Sequence, residues 1–137
     1  MTYNNDQKIF VSAILHNRNG EILLIRSTRM RESLDDAEYF NIPSWSVPFG
    51  VDPQEKIVHE LETLLEDVVE IGLVRSIQSY VQHNHRVHVI ELVYEARTSA
   101  EACREAGRCS SLRFVSEQDI DAYIFSSRIK ELLSNEF

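Results

Sequence analysis

Little in this sequence breaks or staples a chain. Only four of its 137 residues are glycine and three are proline. That scarcity excludes collagen-like repeats and argues against long disordered segments. The only two cysteines, Cys103 and Cys109, flank Gly107 in a loop-like stretch, and no second pair completes a zinc set. They read as free thiols of a cytosolic protein. Basic residues are also short: 14 Lys and Arg stand against 22 Asp and Glu, a net charge of -8. Such a chain repels polyanions, so a sequence-independent grip on a nucleic acid polymer is not expected. It can hold a small phosphate ligand only through a divalent cation or a local Arg/Lys pocket. No apolar run approaches the roughly 20 residues of a membrane helix, and the polar start, residues 1–8, leads into no signal-peptide core. No membrane partner is expected, and the expected location is cytoplasmic. A Gly-rich P-loop, a nucleophile elbow and a Cys/His pair are all missing, which removes kinase-like and acyl-transfer chemistry.

What is present fits one domain over residues 1–137. Residues 9–15 form an apolar, β-rich run, and 21–26 form another. Between them, Asn17-Arg18-Asn19-Gly20 is a hairpin turn signal. Residues 28–44 make a long polar connection carrying Arg29, Arg31, Tyr39 and Phe40, of the kind that is usually functional. Strands are predicted at 45–47, 73–82, 86–97 and 110–115. Ser116 caps a short helix, and a final helix covers 126–135. No repeat appears. Strands outnumber helices in a mixed order, so the predicted class is α+β, a mixed sheet flanked by helices.

The sharpest local signal lies after Trp45-Ser46-Val47-Pro48. Gly50 marks a turn, and Asp52-Pro53-Gln54-Glu55 is a helix start with an N-cap, a proline at the first helical position and a capping-box glutamate. Ile57, Val58, Leu61, Leu64, Leu65, Val68 and Val69 recur at helical spacing, which extends the predicted helix to about Glu70. At 100° per residue, Glu55, His59, Glu62, Thr63, Glu66 and Glu70 share one stripe, with Asp67 at its edge. Such a stripe is either a solvated face or a seat for a hard cation such as Mg²⁺ or Mn²⁺. A helix start beside a glycine turn also offers free N–H groups to an anion.

This segment resembles the Nudix box, G-x5-E-x7-R-E-U-x-E-E-x-G-U with U aliphatic, which follows a strand and a Trp-x-x-Pro-Gly-Gly-like turn. The strand order on both sides is also similar to that of Nudix (MutT-like) proteins, so the likeness covers most of the chain. It implies an α/β/α sandwich. It implies metal-dependent hydrolysis of a nucleoside diphosphate linked to another moiety, with Mg²⁺ or Mn²⁺ bridging the diphosphate. Homodimers are common in that family. The box here is degenerate, and two registers are possible. With Glu66 and Asp67 on the acidic pair, Glu62 falls on the family's Arg, Thr63 on the following Glu and Val69 on the late Gly. Sliding His59-Glu60 onto the Arg-Glu pair leaves Thr63 and Leu64 on the acidic pair, a poorer match of letters. The first register implies Glu66, Asp67 and, as a third, Glu62 as metal ligands, with Glu66 and Glu62 as the catalytic carboxylates. Gly50 is the turn residue at the substrate; read from the residues alone, Arg26, Arg29 and Arg31 are candidates to meet phosphates, with solvated loop charge as the alternative, and Tyr39 and Phe40 are candidates to stack on a base. A later carboxylate, Glu91 or Glu95, is a candidate replacement for Thr63. The lost Arg-Glu pair also raises a different class of function, a catalytically silent Nudix-fold module that binds a nucleotide or a protein.

Three histidines, His83, His85 and His88, cluster near one hairpin. Polar hairpin tips explain them without a metal, and lining a ligand mouth is the functional alternative. Trp45 reads as core at its strand position, with base stacking as the alternative.

Overall fold

In a computed structural model of the chain, the described residues are 6–26, 40–82, 86–99, 112–120 and 127–134. All the strands among the described residues join one mixed sheet. They are β1 (Asp6–His16), β2 (Ile22–Arg26), β3 (Phe40–Asn41), β4 (Ser44–Ser46), β5 (Val69–Gln82), β6 (Val87–Thr98) and β7 (Leu112–Val115). The order is β3-β2-β1-β6-β5, with β4 paired to β1 and β7 to β2. β1 and β6 run parallel along their full contact, and every other pair is antiparallel. Among the described residues the α-helices are α1 (Pro53–Leu65) and α2 (Ser127–Leu133), and Glu117–Asp119 forms one turn of 3-10 helix after Ser116.

Burial follows from strand alternation. In β1, Val11, Ala13 and Leu15 face α1 and pack with Ile57, Leu61, Leu65, Tyr94 and Ala96. Ile14 faces the other way and packs with Ile22, Leu24, Phe40, Val93, Val115 and Leu133 of α2. A strand covered on both faces reads as a near-continuous apolar run, which is the character of residues 11–15 apart from buried Ser12. Burying each of Ile57, Leu61 and Leu65 contributes about 1.5–3 kcal/mol, so the apolar stripe of α1 anchors it to the sheet. This is the expected α+β class, an α/β/α sandwich. No helix among the described residues is long and apolar enough to cross a membrane.

The hairpin turn also forms as expected. Asn17 is buried; its Oδ1 accepts from the N–H of Asn19 at 3.0 Å and of Glu21 at 2.9 Å. Gly20 supplies φ +77 with open space around it, so its requirement is backbone conformation.

Candidate functional site: the turn and helix from Pro48 to Asp67

Pro48 O accepts from Val51 N at 3.1 Å, closing a β-turn with Phe49 and Gly50 at its centre. Gly50 has φ +83, the geometry of a type II turn. Asp52 then caps α1: its Oδ1 accepts from Gln54 N at 3.3 Å, and Pro53 opens the helix. Burial first, and Asp52 second, raise the Tyr94 phenol above its ordinary pKa of 10.0.

The far end of the helix departs from the sequence-based expectation. α1 stops at Leu65, not near Glu70. Glu66 takes a left-handed conformation, φ 54 and ψ 38, and its N–H donates to Glu62 O at 2.8 Å. Asp67 lies beyond the helix, where its Oδ1 accepts from Val68 N at 2.7 Å. Val69 and Glu70 already belong to β5. The expected stripe therefore shrinks to Glu55, His59, Glu62 and Thr63 on α1. Glu62 is half-buried, and its Oε2 accepts from Val69 N at 3.1 Å, which ties the helix to the incoming strand.

This geometry chooses between the two registers of the box. A left-handed residue just past a helix is where a glycine usually stands. In the second register the late glycine of the box falls on Glu66, the left-handed residue. In the first it falls on Val69, which is a buried strand residue. The second register is the one the backbone supports, and its acidic pair is Thr63 and Leu64. It also exposes a shortened connection. Nine positions separate Gly50 from His59, whereas the box spaces its glycine and arginine by fourteen. The thirteen-residue helix adds about 20 Å of axial rise between the Gly50 turn and Glu66. The turn and the Glu66–Asp67 carboxylates are thus not brought together.

The residues of this register do not fit a divalent cation. Leu64 has no donor and packs against the core under α1. Glu60, the carboxylate retained on the Arg-Glu pair, is neutralised by Lys56 Nζ at 2.9 Å. No group of three or more His, Cys, Asp or Glu able to hold a metal occurs among the described residues. The suggested replacements do not reach Thr63. Glu91 is buried on the face away from α1, where its carboxylate accepts from Ser12 Oγ and, at 2.9 Å, from Tyr80 Oη. Glu95 pairs with Arg75 at 3.7 Å. Arg26 ends β2 opposite Phe40. Arg29, Arg31, Tyr39, His83, His85, Cys103 and Cys109 lie outside the described residues. His88 is held by polar neighbours, with Ser79 Oγ at 2.7 Å from its Nε2. Trp45 is half-buried against the core cluster under α1.

A strand, a glycine turn and a capped amphipathic helix laid on a mixed sheet define an α/β/α sandwich, and that fold is the fold of Nudix hydrolases. No protein-family model and no curated relative matches the chain. Solved structures do. A MutT protein from Methanosarcina mazei Go1 is 17% identical, with a TM-score of 0.74 and coverage of 98% of this chain and 96% of that one. The Nudix domain of Shewanella oneidensis NrtR, crystallised with ADP ribose, is 11% identical with a TM-score of 0.67, covering 97% and 86%. A Sinorhizobium meliloti protein, provisionally described as an oxidoreductase, is 25% identical with a TM-score of 0.67, and the match takes in 94% of this chain but only 38% of that one.

Proposed function

We propose that this chain, as one Nudix-like domain over residues 1–137, binds a nucleoside diphosphate linked to another moiety in the cytoplasm without metal-dependent turnover. One observation carries the reading. The left-handed Glu66 supports the register in which Thr63 and Leu64 stand where the box has its acidic pair. A hydroxyl and an isobutyl group cannot replace two carboxylates around Mg²⁺ or Mn²⁺. The ADP-ribose complex of the NrtR Nudix domain supports the ligand class. A homodimer belongs to the proposal: β5 lies at the end of the sheet order and exposes Leu73, Ile77 and Val81. The test is a panel of nucleoside diphosphate derivatives with Mg²⁺ or Mn²⁺. Thermal stabilisation without product supports the reading; metal-dependent cleavage defeats it.

A second reading is favoured by one specific observation. Glu62, Glu66 and Asp67 gather around the end of α1, where Glu66 N–H donates to Glu62 O at 2.8 Å and Asp67 directly follows the cap. In that reading they hold Mg²⁺ or Mn²⁺, Glu66 and Glu62 are the catalytic carboxylates, and Gly50, Arg26, Arg29 and Tyr39 contact substrate in a pyrophosphohydrolase of low activity. Turnover abolished by Glu66→Gln is its signature.

A further inference from the structure

At the opposite end of the sheet from the Gly50 turn lies a cavity of about 340 Å³, within the range of small-molecule sites. Val47 N donates to Ile9 O beside that turn, whereas the cavity is lined by His16, seven residues further along β1. At strand rise this is a separation of about 23 Å. The cavity therefore lies away from the Gly50 turn, at the end of the sheet where α1 gives way to β5, and Val68 is part of its lining.

Its lining is arranged by the fold. Arg97 of β6 stands in register between His16 of β1 and Glu70 of β5. Arg18 is presented by the hairpin turn that buried Asn17 braces, and exposed Ser99 adds a hydroxyl at the rim. Among the described residues, neither Arg18 nor Arg97 has an ion-pair partner, although Glu70 is the cross-strand neighbour of Arg97. In a chain of net charge -8, two arginines that line one cavity without an ion-pair partner among the described residues make a local anion site. Guanidinium forks match the paired oxygens of a phosphate. A carboxylate on the same rim repels a bare polyanion but accepts hydrogen bonds from hydroxyls.

We propose that this cavity binds a small phosphate ester carrying free hydroxyls, its phosphate between Arg18 and Arg97 and its hydroxyls at Glu70. The site does not depend on a metal held by Glu62, Glu66 and Asp67, because none of these three lines it. The test is titration of the full-length protein with ribose 5-phosphate and, separately, inorganic phosphate, followed by calorimetry and amide NMR shifts. Saturable binding of ribose 5-phosphate is expected, with shifts centred on residues 16–18 and 97–99. The double variant Arg18→Ala/Arg97→Ala loses at least tenfold in affinity. Arg18→Lys, which keeps the charge but not the fork, falls between. Glu70→Gln weakens ribose 5-phosphate and strengthens inorganic phosphate. All of these side chains are at the surface, so the variants fold. Absence of saturable binding, or binding unchanged in the double variant, overturns the site. Equal affinity for the two probes overturns the role of Glu70.

Discussion

Replacing Glu66 by glycine should stabilise the protein, and the size of the effect follows from its backbone. Glu66 holds φ 54 and ψ 38. An L-residue in that region costs about 1–2 kcal/mol relative to its right-handed state. Glycine removes the strain but adds unfolded-chain freedom worth about 0.5–1 kcal/mol. The net expectation for Glu66→Gly is a gain of about 0.5–1 kcal/mol, or a rise of roughly 2–4 °C in Tm. The companion is Val69→Gly, which places glycine where the other register wants it. Val69 is buried in β5 beneath α1, so its loss costs about 3 kcal/mol from a cavity plus backbone freedom. Denaturant unfolding of both variants gives the comparison. A loss of 1 kcal/mol or more in Glu66→Gly would refute the reasoning, since the carboxylate would then be making native contacts that outweigh the strain.

Three further outcomes follow from the same geometry. Asp52→Ala removes the N-cap of α1 and lowers stability by about 1 kcal/mol in a denaturant melt. Glu62→Ala leaves the Val69 N–H without its 3.1 Å acceptor and costs about 1 kcal/mol, with faster hydrogen exchange at Val69 as the local readout. Burial and then Asp52 raise the Tyr94 phenol above its ordinary value. The folded state therefore favours the neutral form. Its contribution is intact below pH 10, the unfolded value, and is lost as pH rises through the higher folded value. Phenolate absorbance should show this group ionising late, and Asp52→Asn should bring its ionisation to lower pH.

Much of this fold was legible in the chain because local and tertiary signals agree. Asn17 to Gly20 specifies a turn by side-chain and backbone chemistry alone. Asp52-Pro53 marks a helix start that needs no long-range contact. The end of α1 was not legible for a physical reason. The usual stop signal is a glycine, and here a glutamate holds the left-handed position. Beyond it, Val68 and Val69 continue the helical spacing, yet Val68 is 72% exposed and Val69 is buried from a strand. Two adjacent valines satisfy either pattern, so periodicity alone extended the helix by five residues. The Glu66–Asp67 candidate rests on the same extension, because the two stand on the helix face only if the helix continues. Arg97 and Arg18 were equally hidden. They converge through the parallel pairing of β1 with β6, which joins residues about 80 positions apart.

The most direct test of the register is a Mn²⁺ titration of the isotope-labelled wild-type protein, read as paramagnetic broadening of amide signals along α1. The expected result is no saturable, stoichiometric broadening centred on residues 60–67. Saturable broadening there, abolished by Glu66→Gln, would contradict it and restore Glu62, Glu66 and Asp67 as a metal site.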